Sequence, residues 1–350
     1  MKPHRLAIVR QKYRPDGGAE RFVSRALTAL SNQNLELNVI TREWQGEKQD
    51  DWHIHICNPP KWGRISRERG FAQAARALWQ QQQFDIVQSH ERIPGCDIYR
   101  AGDGVHRRWL LQRARILPAW RAQMLMYDRY HRYVMRAERE MYQAPEIHVI
   151  YNSIDSSRFV PAQEAQRAIL RQQFGLPADA VVFCFVGSGF ERKGLASAIR
   201  AIAGTSAWLI VVGQDKAERR YRDLARSLGC EGQIRFLGMQ KETLPFYQLS
   251  DGLLLPTLYD PFPNVILEAM ACGLPVITSE SCGGAEFIQQ GQNGFYCDAL
   301  DISTLKEAVA AIPSLEKNNN MGRAARERVK DATPEKLSSQ LITLYQKLLD

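Results

Sequence analysis

Short, continuously apolar runs alternate along this chain with longer stretches of helical period. Residues 6–9 (Leu-Ala-Ile-Val) predict a buried strand, and residues 35–41, 53–57 and 84–88 predict three more. Helical patterning over about 19–30 and 71–82 fills the intervals. The second half repeats the alternation, with strand-like runs at 181–186, 209–212, 234–237, 252–255 and 276–278, each followed by loop and helix signals. A strand that is apolar throughout is buried on both faces, and strands alternating with helices build parallel sheets covered by those helices. The pattern therefore predicts an α/β chain of two tandem parallel-sheet domains, with a ligand cleft at the carboxyl ends of the strands. The boundary is expected at Tyr151-Asn-Ser-Ile-Asp155, which gives domains over 1–150 and 151–333 and a final helix over 334–350.

Composition narrows this only a little. A chain of 350 residues with 45% apolar content has ample core for two domains. No run of apolar residues is long enough for a membrane-spanning helix, and the start, Met1-Lys-Pro-His-Arg-Leu-Ala-Ile-Val, reads as a first strand and not as a secretory signal. Seven cysteines, an odd number without metal-like spacing, suit reduced packing residues in a cytoplasmic protein. The net charge of +8 invites an anionic partner, whether nucleic acid, membrane surface or phosphorylated ligand, without choosing among them.

The densest chemistry lies over residues 256–279. Asp260 stands just before a predicted helix start and Glu268 lies within that helix, flanked by Val265, Ile266, Leu267, Ala269 and Met270. A carboxylate in such apolar surroundings is costly unless it is hydrogen-bonded. Pro263 fits the first helical turn, which would leave the N–H groups of Asn264 and Val265 to hold an anion, and Gly273 supplies the stop. A purely structural reading, with a capping Asp and a Glu paired to an Arg, competes with this one. Two other loops carry phosphate-binding features. Gly17 and Gly18 follow the first strand, where backbone amides could approach a diphosphate. Gly187-Ser-Gly-Phe-Glu-Arg192-Lys193-Gly194 follows the first strand of the second half and offers a planar fork beside a point charge. Neither loop reads Gly-x-Gly-x-x-Gly, so a dinucleotide cofactor is disfavoured.

Asp260-x7-Glu268 with Glu-Ala-Met-Ala-x-Gly-x-Pro-Val resembles the acid pair of the retaining nucleotide-sugar glycosyltransferases of family 4. That resemblance implies the GT-B fold, two facing Rossmann-like domains with an interdomain cleft. It implies that Asp260 approaches the donor sugar and Glu268 binds the ribose hydroxyls. The family usually has Glu at the first position, so Asp260 is a shortened version. Arg192-Lys193-Gly194 is similar to the family's phosphate site, and Ile234-Arg-Phe-Leu-Gly238-Met239 to its nucleobase loop, with Met239 against the base. His90 and Asp103 fall where relatives place sugar and acceptor contacts. The 151–155 segment is similar to an Asn-Gly-Val-Asp linker, with Ser153 in place of Gly. In relatives the final helix crosses back to the first domain. The resemblance also implies another strand and helix before this linker, whereas Ala144-Pro-Glu146 runs straight into Ile147. A segment omitted from the sequence as given is the favoured reading here, ahead of a true deletion. No Asp-x-Asp is present, so the diphosphate charge is expected to fall to Arg192, Lys193 and helix amides without a metal.

Residues 105–140 carry nine arginines against three acidic residues, interleaved with Trp109, Leu110, Leu111, Ile116, Leu117, Trp120, Met124, Leu125 and Met126. This reads as a basic arm lying in an anionic membrane interface, with domain packing and a nucleic-acid patch as competing readings. The stretch from Ile93 through this arm, with Val-Val-Gly-Gln214-Asp-Lys216, is similar to the lipopolysaccharide-core α-glucosyltransferases of Gram-negative bacteria. The expectation is a retaining, metal-independent hexosyltransferase, peripheral on the cytoplasmic face of the inner membrane. Its partners would be a UDP-sugar, most simply UDP-glucose as substrate, and an inner-core heptose of lipopolysaccharide or another glycolipid acceptor. No cofactor and no nucleic acid are expected. The alternatives are another UDP-sugar donor, a UDP-sugar 2-epimerase, and a non-catalytic nucleotide-sugar-binding protein at the membrane.

Overall fold

The computed structural model describes residues 3–13, 35–45, 52–143, 146–312 and 320–349. The chain divides into two compact units, one of residues 1–152 with 334–350 and one of residues 153–333.

The first unit holds a five-stranded parallel sheet of β1 (His4–Val9), β2 (Leu35–Thr41), β3 (Trp52–Ile56), β4 (Ile86–Ser89) and β5 (Ile98–Tyr99), in the order β3-β2-β1-β4-β5. Central β1 shows why its run is apolar throughout. Leu6 and Ile8 face Leu337, Leu341 and Tyr345 of the C-terminal helix Pro334–Leu349, while Ala7 and Val9 face Phe71, Ala75 and Trp79 of α1 (Arg64–Gln82). Adjacent side chains of a strand point to opposite faces, so a strand covered on both sides has no polar position. Helix α1 begins seven residues before the stretch expected from its apolar pattern. Its first turns, Arg64-Ile-Ser-Arg-Glu-Arg, are polar, and only Phe71, Ala75 and Trp79, spaced by four, are buried. The helix expected over 19–30 lies outside the described residues.

The basic arm is broken into three helices, α2 (His106–Ala114), α3 (Ala119–Tyr127) and α4 (Arg129–Met141). Pro118 precedes α3, and the Asp128 carboxylate caps α4 by accepting from the N–H groups of Tyr130 and His131 at 2.8 and 3.1 Å. The apolar residues divide accordingly: Leu110, Val134 and Met141 are buried, whereas Leu111, Ile116, Trp120, Met124 and Tyr127 are exposed.

In the sequence as given, Met141, where α4 ends, is followed after five residues by Ile147. Among the described residues no strand follows β5 in this unit. The sheet ends on a strand of two residues, short enough to present few unpaired backbone groups.

The second unit holds six parallel strands: β6 (Val182–Val186), β7 (Trp208–Val212), β8 (Ile234–Gly238), β9 (Gly252–Leu254), β10 (Val276–Ser279) and β11 (Gly294–Cys297). Their order is β8-β7-β6-β9-β10-β11. Strands β5 and β11 were not foreseen, because two and four residues are too short to show a period. The chain steps outward from β6 through β7 to β8 and then returns to lay β9 on the other side of β6. The loops leaving β6 and β9 therefore diverge at a topological switch point, where open α/β sheets bind ligands. At the opposite end Asp251, fully buried, accepts from Arg167 and Arg171 at 2.6 Å each and from the Val182 N–H at 2.7 Å.

Candidate active site

The two switch-point loops are locked together by glycines. Gly194, with φ of +78°, packs so tightly that a Cβ there would stand 1.8 Å from the Pro256 carbonyl oxygen. Gly213 meets the Gly187 carbonyl in the same way, at 2.3 Å. The Arg192 carbonyl accepts from the Leu258 N–H and the Thr257 hydroxyl, both at 2.9 Å, which holds the two loops in one register.

This arrangement delivers three of the expected residues to one point. Arg192 Nη1 donates to Asp260 Oδ2 at 2.9 Å, and Lys193 Nζ donates to the same oxygen at 2.7 Å. The side chains of Asp260 and Lys193 are 6% and 11% exposed, whereas Arg192 is 40% exposed. Among the described residues Asp260 Oδ1 accepts no hydrogen bond. Two cations on one carboxylate leave the cluster with an excess positive charge. A cluster of this charge attracts a further anion, and Oδ1 retains acceptor capacity. The Asp260 carbonyl accepts from the Gly283 N–H at 2.9 Å, which ties this loop to the turn after β10.

Helix α5 (Asn264–Ala271) follows at once. Pro263 is its N-cap residue, one position ahead of the expected first turn, with ψ of 123°. Asn264 and Val265 are the first helical residues, and the first N–H groups of a helix have no partner within it. Glu268 is buried among Ile266, Leu267, Ala269 and Met270 and accepts from the Tyr247 hydroxyl at 2.8 Å. Burial and the neighbouring Glu268 charge raise the Tyr247 pKa well above its ordinary value, so the phenol remains a donor. Tyr247 escaped the sequence reading because Leu-Pro-Phe-Tyr-Gln carries no motif. Only the fold sets this ring beneath the helix. Met239 stands 66% exposed just after β8, beyond Gly238 in the left-handed conformation.

The remaining expected residues belong to the first unit. Gly17 and Gly18 lie outside the described residues. His90 follows β4 and is buried in a hydrogen-bond chain: the Tyr345 hydroxyl donates to Gln88 Oε1 at 2.7 Å, and Gln88 Nε2 lies 3.0 Å from His90 Nε2. With its oxygen occupied, the Gln88 amide must donate, which leaves His90 Nε2 as the bare nitrogen. Burial, then Arg100 and Arg10, hold the His90 pKa well below the usual imidazole value, so the ring is neutral. Asp103 is half exposed, 3.9 Å from Arg10 and 3.7 Å from Arg92. Glu91 was not singled out by the sequence. It accepts from the Gln11 N–H at 2.9 Å, and burial, opposed by Arg10, pushes its pKa up to about 7.

Residues 166–328 match the family model described as glycosyl transferases group 1, and residues 16–158 match glycosyltransferase family 4. The chain is 27% identical over 354 residues to the lipopolysaccharide core biosynthesis glycosyltransferase LpsE of Rhizobium meliloti, covering 95% of this chain and 96% of that one. It is also 27% identical over 319 residues to the lipopolysaccharide glucosyltransferase WaaG of Escherichia coli, covering 83% and 84% of the two. A crystal structure of WaaG superposes with a TM-score of 0.78 at 22% identity, covering 97% of this chain and 99% of that one. Anabaena HepE, solved with UDP-glucose, superposes with a TM-score of 0.70 at 17% identity, covering 98% and 99%.

Proposed function

Because this chain belongs to the group 1 glycosyl transferases and has their GT-B fold, we propose that it transfers glucose from UDP-glucose to an inner-core heptose of lipopolysaccharide, with retention at the anomeric carbon. The observation that carries this reading is the convergence of Arg192 and Lys193 on Asp260 at the switch point, directly before the N-terminus of α5. The names of LpsE and WaaG support a lipopolysaccharide-core acceptor, and the ligand of HepE supports the donor.

In this reading the diphosphate lies against Arg192, Lys193 and the N–H groups of Asn264 and Val265. These groups stabilise the charge that grows as UDP departs, so the reaction requires no metal. Asp260 Oδ1 accepts a donor-sugar hydroxyl, Glu268 holds the ribose hydroxyls and Met239 packs on the base. The bond from the anomeric carbon to the phosphate oxygen breaks, and the bond to the acceptor hydroxyl oxygen forms on the same face. The acceptor proton passes to the departing phosphate oxygen. No helix of the described residues is long and apolar enough to cross a membrane. Exposed Leu111, Ile116, Trp120 and Met124, among arginines, would rest on the cytoplasmic face of the inner membrane.

The test is transfer from a panel of UDP-sugars to heptose-terminated core lipopolysaccharide with EDTA present, and assignment of the new anomeric linkage by NMR. One α-linked hexose from UDP-glucose is expected. A β-linkage, or activity only with added metal, contradicts the mechanism. The short join near Pro145 favours one other reading, a nucleotide-sugar-binding protein without transferase activity. That reading predicts UDP binding and no product with any acceptor.

A further inference from the structure

Outside the switch point, the first unit contains a cavity of about 880 Å³ with an unusual charge pattern. Six arginines line it: Arg69 of α1, Arg107 of α2, and Arg129, Arg132, Arg136 and Arg139 of α4. The four on α4 are spaced three, four and three apart, which puts them on one face of the helix, opposite buried Val134, Glu138 and Met141. Like charges at this spacing repel, so such a stripe costs helix stability unless something neutralises it.

Little within the chain does so. Among the described residues Arg69, Arg107, Arg129, Arg132 and Arg139 have no carboxylate within ion-pair distance, and Arg136 has only Glu140, at 3.5 Å on the exposed surface. Glu138 borders the cavity, but its carboxylate is occupied by Arg92 at 2.8 Å and by the His106 N–H at 2.9 Å. The wall between the arginines is formed by Ile65, Met126, Met135 and the ring of Tyr133.

We infer that this cavity binds the oxyanion groups, phosphate or carboxylate, of the acceptor saccharide, and so holds the acceptor by a part remote from the reacting hydroxyl. Guanidinium forks match both oxyanions in bidentate geometry, and an aromatic wall suits the C–H face of a sugar. The volume is that of a small-molecule site, within the usual range of roughly 300–1,000 Å³. Four helices, α1 to α4, contribute to its wall, which is open to solvent. The apolar residues exposed for a bilayer, Leu111, Ile116, Trp120 and Met124, do not line it. The identity of the ligand as the acceptor rests on the proposed function, whereas anion binding in the cavity does not.

The test compares the full-length protein with an Arg132→Glu/Arg136→Glu variant whose thermal unfolding and UDP binding match the unaltered chain. Calorimetric titration uses fully deacylated, lipid-free lipopolysaccharide backbone, the same saccharide after removal of phosphate, and phosphatidylglycerol vesicles. Charge reversal is expected to weaken binding of the phosphorylated saccharide on the order of a hundredfold, since two charge-assisted contacts become repulsive. In transfer it should raise the acceptor KM on the order of tenfold or more and leave kcat within about twofold. A milder Arg132→Gln/Arg136→Gln pair serves where reversal prevents folding, with a smaller loss in the same direction. Equal binding by the dephosphorylated saccharide assigns the recognised groups as carboxylates, and reduced binding assigns phosphates. Saccharide affinity unchanged in a folded variant, or a loss confined to vesicles, overturns the inference. If no UDP-sugar is transferred but the saccharide binds through these arginines, the proposed function fails and the anion site stands.

Discussion

Lys193 is the residue on which the proposed chemistry can be tested most severely. Its amine is nearly buried and donates at 2.7 Å to the Asp260 oxygen that also receives Arg192, whose own side chain is 40% exposed. Replacement by methionine keeps the stem and removes the charge, so packing beside Gly187, where an added Cβ would stand 3.3 Å from the Lys193 stem, is preserved. Two effects then combine. The departing diphosphate loses one preorganised cation in a water-poor setting, where removal of a comparable donor costs roughly 3–4 kcal/mol, a factor of about 10² to 10³ in kcat. Asp260 keeps only the more exposed Arg192, so the cluster no longer carries excess positive charge, and UDP affinity should fall roughly tenfold. The same reasoning ranks the two cations. Arg192→Ala removes a fork already shared with water, and its loss in kcat should be about tenfold. The assay is UDP release with saturating acceptor, beside UDP titration and thermal unfolding for each variant. A folded Lys193→Met enzyme that retains more than about a tenth of kcat, or an Arg192→Ala loss larger than that of Lys193→Met, refutes the assignment of the buried amine to the leaving group.

Four further outcomes follow from particular contacts. Tyr247→Phe removes one donor to buried Glu268, and UDP affinity measured by calorimetry should fall about tenfold, at the low end of the roughly 1.5–3 kcal/mol of a hydrogen bond to a charged group; unchanged affinity contradicts the ribose role of Glu268. Gly194→Ala places a methyl 1.8 Å from the Pro256 carbonyl in a left-handed backbone, and unfolding in urea should show a loss of about 2–4 kcal/mol together with loss of UDP binding. Asp251→Ala removes the shared carboxylate of buried Arg167 and Arg171, which keep carbonyl acceptors, and should cost about 3–5 kcal/mol; less than about 1 kcal/mol means the triad is not held as described. Glu91 has a folded pKa of about 7, above its value of 4.5 in the unfolded chain, so the fold favours the protonated acid. Its contribution is fully present below about pH 4.5 and is lost as pH rises through 7. Glu91→Gln, which mimics the protonated form, should flatten this part of the stability–pH curve and raise the unfolding temperature at pH 8. A wild-type slope in the variant rules that out.

Much of this site could be read from the sequence, because its signals are local. Asp260, Asn264, Val265, Glu268 and Gly273 lie within one strand-to-helix connection, and Arg192 and Lys193 follow one glycine turn. The limits of that reading are also physical. Periodicity reports only buried positions, so α1 was foreseen from Phe71 although its polar first turns begin at Arg64. Pro263 was expected inside α5 but precedes it, since an N-cap lies one residue from the first turn and a proline fits either place. The arm over 105–140 was read as one amphipathic segment. Pro118 and the Asp128 cap divide it: α2 buries Leu110 and Gln112, α4 buries Val134, Glu138 and Met141, and α3 buries no residue. Tyr247 and Glu91 carry no sequence signal, since their chemistry arises from what the fold packs around them.

By itself the sequence determined where most of the strands run, since a strand covered on both faces is largely apolar, although β5 and β11 escaped it. It also determined which loops bear charge. The tertiary structure alone decided that Lys193 and Arg192 share one oxygen of a carboxylate more than sixty residues away, that Tyr345 closes a hydrogen-bond chain to His90, and that four arginines of α4 join two others around a cavity. Burial patterns are written residue by residue along the chain. The choice of partner for a charge depends on strand order and loop register, which arise only when the whole sheet is assembled.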